Sequence, residues 1–168
     1  MSNRAVPWTS IVSLLARVAL AAVWLISGGI KLADPTQTVV AVRAYQLLPE
    51  GLVRPVAAVL PMVEIALGLL LLVGLAVRWT AVASAALLLL LIAVIVSVWA
   101  RGLSIDCGCF GGGGAADVDG WDYGREILRD VGFLVLAAWL IVYPRSPLAL
   151  GPGSRAGHSV PVQPKVAE

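Results

Sequence analysis

Residues Trp79 to Ala100 form a run of 22 residues without a charge, bracketed by Arg78 and Arg101. A helical crossing of a bilayer needs about 20 such residues, and no soluble element competes for a run this long and clean. Two further segments resemble it. Trp8 to Ile30 is interrupted only by Arg17, and Pro55 to Val77 only by Glu64. A fourth is weaker. Val131 to Tyr143 is a clean run of 13, and it reaches span length, 124–143, only by extending back through Arg125, Glu126, Arg129 and Asp130. This helix is expected to begin near Asp122, with charged first turns facing protein or headgroups rather than lipid.

Four spans at about 20 residues each occupy roughly half of the chain. The chain is 60% hydrophobic and 13% charged, well away from the balance of soluble domains. The expectation is therefore an all-α, polytopic membrane protein: a four-helix bundle over residues 1–145, with spans near 8–30, 55–77, 79–100 and 124–143. Residues 146–168 carry four prolines and three glycines and are expected to form a disordered tail. The first run is too long for a signal-peptide core and contains Arg17, so it is expected to stay as a helix. A net charge of +2 gives no reason to expect nucleic acid. The basic residues are almost all arginine, which suggests a GC-rich bacterial source and hence a bacterial plasma membrane.

Four spans put both termini on one side. Trp8, Trp79 and Tyr143 mark one interface, and Tyr45, Trp99, Trp121 and Tyr123 the other. Lys and Arg are nearly balanced across the two sides. The acids cluster on the second side, which favours cytoplasmic termini. Between the first two spans, Asp34-Pro35 reads as an N-cap with proline at the first helical position. A short interfacial helix is expected from there to Leu48. Arg78 alone is expected to join the second and third spans as an antiparallel hairpin.

The only two cysteines, Cys107 and Cys109, sit in the string IDCGCFGGGG just after the third span. A Cys-Gly-Cys disulfide closes a very small ring, which strains its geometry and makes it exchangeable. A loop this short gains little stability from the bridge, so a structural role is the poorer use. Gly108 eases the backbone, and the glycines after Phe110 would let the loop move and a partner backbone approach. Arg125 and Arg129, one turn apart at a helix start, are positioned to favour a thiolate. Asp106 and Asp122 would oppose it. Three other readings stay open: half of a zinc site, disulfides to a partner, or buried thiols without chemistry. A zinc site lacks further ligands within one chain, because the only histidine, His158, lies in the opposite-side tail. No metal is therefore assigned, although an intersubunit site in a homo-oligomer stays open.

Inside the bilayer, Arg17 and Glu64 lie at similar depth if each is counted from the start of its apolar run. They are expected to pair, as an architectural clamp more than as a proton or substrate element. Arg17 has the alternative of snorkelling to the near surface. No chain of further acids to relay protons is legible.

The segments SGGIKLADP at 27–35, YQLLP at 45–49, LPMVEIALGLLLL at 60–72 and CGCFG at 107–111 together resemble the MauE family of methylamine-utilisation membrane proteins, within the broader DoxX-like four-helix group. The resemblance covers roughly residues 10–143. It implies a bacterial membrane protein working beside a thioredoxin-like partner, in the named family toward maturation of methylamine dehydrogenase. The matching positions are Lys31, Glu64, Cys107 and Cys109. The leading expectation is a thiol–disulfide relay component in the lipid bilayer, with Cys107 and Cys109 exchanging with an extracytoplasmic thioredoxin-fold protein. A quinone is one acceptor this would permit. The rivals are a non-enzymatic assembly scaffold and a small-solute transporter.

Overall fold

The computed structural model describes residues 8–108, 112–115 and 118–151. Its helices are α1 (Trp8–Ala33), α2 (Pro35–Ala44), α3 (Glu50–Val73), α4 (Val77–Ala100) and α5 (Gly120–Val142), with a two-stranded hairpin, β1 (Ile105–Asp106) and β2 (Gly114–Ala115), between α4 and α5. Among the described residues the chain is all-α apart from that hairpin. Among the described residues, α1, α3 and α4 are long and apolar enough to cross a membrane. Their outward side chains, such as Leu15, Ile26, Leu69 and Leu90, are large, apolar and exposed, as lipid-facing helices require.

The bundle is built from two helix pairs. α1 packs chiefly on α3, α4 packs chiefly on α5, and α1 also touches α5. Small residues let α1 and α3 approach closely. A Cβ on Gly28 would lie 2.9 Å from Ile65 Cγ1 and 3.0 Å from the Pro61 carbonyl, and one on Gly68 would lie 2.7 Å from Leu25 Cγ. Leu20, Trp24, Leu71, Leu88 and Leu140 fill the centre. The Trp24 indole N–H donates to Ser84 Oγ at 3.0 Å, and Ser13 Oγ donates to the Tyr143 carbonyl at 2.8 Å. These bonds tie α1 to α4 and to the end of α5.

Several boundaries differ from those read in the sequence. α3 begins at Glu50, not Pro55, because a proline in the second turn of a helix need not end it. The connection to α4 is Gly74–Ala76 rather than Arg78. Gly74 takes φ +77° and its N–H bonds back to Leu70 and Leu71, a left-handed helix stop that an apolar count does not register. Arg78 lies in the first turn of α4. α2 starts as expected, with Asp34 accepting from the Gln37 N–H at 2.9 Å. It stops at Ala44 rather than Leu48, just before Gln46 takes φ +53°. α5 starts at Gly120 because Asp119 and Asp122 form a reciprocal capping box. Residues 146–151, assigned from sequence to the tail, pack on the α3–α4 turn. Ser146 and Ala149 are buried, and the Leu150 and Gly151 N–H groups donate to the carbonyls of Val73 and Gly74. His158 lies outside the described residues.

Candidate functional site

The site lies where α4 ends. Gly102, at φ +66°, turns the chain out of the helix. Ile105 pairs with Ala115 and Asp106 with Gly114, antiparallel. Cys107 follows directly on β1. Two tyrosines hold this stretch. The Tyr123 hydroxyl of α5 accepts from the Ile105 N–H at 3.0 Å and donates to the Leu103 carbonyl at 2.7 Å. The Tyr45 hydroxyl donates to the Cys107 carbonyl at 2.6 Å. Both residues sit at the end of the bundle where an aromatic belt is expected, but they serve as clamps on the loop.

The described glycines of the loop pack closely on the chain itself. A Cβ on Gly108 would lie 2.9 Å from Ala41 Cβ, and one on Gly113 would lie 2.5 Å from it. The loop backbone is thus laid flat on α2, where a side chain would not fit. The Gln37 amide donates to the carbonyls of Gly112 and Gly113 at 3.1 and 2.6 Å. The close partner of these glycines is the chain's own α2. Gly108 takes φ +64° and donates its N–H to Asp106 Oδ1 at 2.9 Å.

Cys107 is buried, 6% exposed, among Ile95, Val98, Ile105 and Tyr123. Its thiol is hydrogen-bonded to the carboxylate of Glu126. The second cysteine, Cys109, lies outside the described residues, as do Phe110 and Gly111. One carboxylate oxygen each of Asp106 and Glu126 and the Cys107 sulfur lie within 4.8 Å of one another. One sulfur and two carboxylates are not the nitrogen and sulfur set of a closed zinc site. A thiol against a carboxylate is instead a donor and acceptor pair for a proton.

Deeper in the bundle, the expected Arg17–Glu64 pair is replaced by another. Lys31 Nζ donates to Glu64 Oε1 and Oε2 at 2.7 and 2.9 Å and to Ser27 Oγ at 2.6 Å, and Ser27 Oγ donates to Glu64 Oε2 at 3.2 Å. Glu64 is fully buried. Arg17 lies elsewhere, against Gly74 and Ala149, buried and with Nε and Nη1 unpartnered among the described residues. Helix register explains the difference. Gly28 faces Glu64 and Arg17 faces Gly74, so Arg17 and Glu64 stand about 15 Å apart along the helix axes. Counting depth from Pro55 omitted the first five residues of α3. Arg17 meets the C-terminal end of α3 instead, where helix carbonyls carry partial negative charge.

Of the two surroundings expected for the charged first turns of α5, protein or headgroups, the acids take the protein interior. Asp130 is 3% exposed, accepts from Arg129 Nε at 3.1 Å, and interacts electrostatically with Lys31 across the bundle. Glu126 interacts with both Arg129 and Asp130. A series of ionisable groups therefore runs from Cys107 through Glu126, Arg129, Asp130 and Lys31 to Glu64. A cavity of about 230 Å³ lies alongside, lined by Lys31, Thr38, Tyr45, Leu60, Leu91 and Cys107 among others. It brings two sequence-predicted residues, Lys31 and Cys107, to one space. Arg125 is exposed, and it lines a separate hollow with Glu126 and Arg129. The group bonded to the thiol is Glu126, which sequence pattern alone did not single out. The available signal was the inward stripe Tyr123, Ile127, Asp130, Ala137, whose buried members include an acid.

No curated protein and no solved structure matches the chain. The family model for the methylamine utilisation protein MauE matches residues 9–143, from the second residue of α1 to the residue after α5, and the chain belongs to that family.

Proposed function

We propose that this MauE-family protein is a thiol–disulfide relay component of the bacterial plasma membrane. α5 serves as the fourth span, its charged first turns turned inward to Lys31 and Cys107, and α2 lies at the interface. The termini are cytoplasmic and the cysteine loop faces outward. Cys107 and Cys109 alternate between dithiol and disulfide, through mixed disulfides with a thioredoxin-fold partner. The observation that carries this reading is the Cys107 thiol set against a carboxylate at the end of the bundle, beside a cavity. A purely structural cysteine in a core needs no ionisable neighbour.

The test is thiol trapping in intact cells with a membrane-impermeant maleimide, with and without prior reduction. Labelling only after reduction supports an outward disulfide. Labelling only in broken cells reverses the topology and overturns the relay, because a reducing cytoplasm does not sustain the disulfide. Complementation by Cys107→Ser/Cys109→Ser also overturns it and leaves an assembly scaffold. The cavity beside Lys31 favours one second reading, passage of a small solute. Glu64→Gln separates the two: a transporter loses flux while disulfide chemistry survives.

A further inference from the structure

In either direction of electron flow, Cys107 passes between thiol and half of a disulfide, and one proton has to leave or arrive each time. The thiol is buried among Ile95, Val98 and Tyr123, and the Tyr123 hydroxyl is already engaged with the backbone of Leu103 and Ile105. Its acid–base partner on α5 is Glu126. Glu126 also lines a hollow of about 350 Å³ with Asp122, Arg125 and Arg129. The Glu126 side chain thus meets the thiol and also lines an open, charged hollow. Its Oε2 has no hydrogen-bond partner among the described residues, so the carboxylate has acceptor capacity beyond its bond to the thiol.

We infer that Glu126 is the catalytic base and acid of Cys107: it takes the thiol proton when Cys107 attacks and returns it when Cys107 leaves, exchanging that proton with water through the hollow at Arg125 and Arg129. This rests on the relay reading. The step balances as follows. Cys107 Sγ–H and the Glu126 carboxylate become thiolate and carboxylic acid. The thiolate attacks a disulfide of the partner, one S–S bond forms as another breaks, and the partner's leaving sulfur takes a proton from solvent. The charged and titratable groups around Glu126 are Asp106 and Cys107 on the loop and Asp122, Arg125, Arg129 and Asp130 on α5, with Lys31 of α1 acting on Asp130. Arg129 offsets the acids, so that a negative charge shared between sulfur and carboxylate is tolerated on either atom.

The experiment uses the full chain in detergent carrying Cys109→Ser, so that Cys107 alone reacts. The probe is methyl methanethiosulfonate, small enough for the cavity that Cys107 lines. Attack leaves a methyl disulfide on Cys107 and releases methanesulfinate. With a working base, the rate rises as the carboxylate ionises, levels off, and rises again only as free thiolate forms at higher pH. Glu126→Gln removes the plateau, so that the rate climbs tenfold per pH unit and at neutral pH is about 100-fold slower. Glu126→Asp keeps a lower plateau. A Glu126→Gln profile that superimposes on the parent overturns the inference. So does one that is faster throughout, since the carboxylate would then only repel the thiolate. Should Glu126→Gln not fold, the Cys109→Ser chain still decides: a plateau supports the base, and an unbroken tenfold climb removes it. Complementation by the double serine variant would sink the relay in cells while leaving this in vitro profile unchanged, so the two failures are distinguishable.

Discussion

The bundle holds two buried acidic centres, and they are built to opposite specifications. Around Glu64 the donors are matched to the acceptors. Lys31 spends three N–H bonds on Glu64 and Ser27, and Ser27 spends its hydroxyl on Glu64. Around Cys107 the acceptors are not all matched. Glu126 and Asp130 each keep an oxygen without a partner among the described residues. A saturated ion pair holds a geometry, and an unsaturated one can take up a proton. The difference teaches that buried charge in this molecule comes in two kinds, one with its hydrogen bonds matched and one with acceptor capacity left over beside a thiol.

The comparison breaks first at Lys31. Lys31→Met leaves Glu64 buried without its cation and should cost about 3–5 kcal/mol, read as lost thermal stability in detergent. Lys31→Met/Glu64→Leu should recover most of that loss, as expected for a clamp. If the single variant is neutral, Glu64 is not held as a charged pair and the contrast collapses. Next comes the α1–α3 seam that sets the register of the pair. Gly28→Ala should cost about 1–3 kcal/mol through overlap with Ile65 and the Pro61 carbonyl. Gly29→Ala, whose Cβ would meet nothing within 4 Å, serves as the neutral control in the same melt.

The other two variants probe the cysteine end. Tyr123→Phe strands the buried Ile105 N–H and should cost about 1–2 kcal/mol, chiefly in opening of the hairpin. Hydrogen exchange at Ile105 should speed up about tenfold with global stability nearly unchanged. Gln37→Ala removes the two bonds to Gly112 and Gly113 at a partly exposed site and should cost about 0.5–1 kcal/mol. A two- to fivefold faster modification of Cys107 would report it. Equal effects of Lys31→Met and Gln37→Ala on Cys107 reactivity would mean the two centres act as one.

The helices α1, α3 and α4 are legible in the sequence because lipid imposes a length and an absence of charge, and both can be counted. The start of α2 is legible because Asp34-Pro35 is a local signal. What was not legible is long-range. Arg17 and Glu64 look level when apolar runs are measured from their edges, yet Gly28 and Gly68 set a register that sends Arg17 to Gly74 and gives Glu64 to Lys31. For Glu126 and Asp130 the sequence leaves protein and headgroups both open, because either keeps a charge out of lipid. Only the packing of α5 on α4 and the loop turns that face inward. The cysteine motif pointed to the loop, but the carboxylate bonded to the Cys107 thiol comes from the next helix, across the hairpin.

That hairpin is two residue pairs long, far below what a ladder needs to persist on its own. Its lifetime is therefore set by helices it does not belong to: α2 through Gln37, Tyr45 and Ala41, and α5 through Tyr123. The strand pair and Cys107 are thus held from two sides, by one helix before them in sequence and one after. A change in either helix would therefore alter the local stability around Cys107 without touching the sulfur atom.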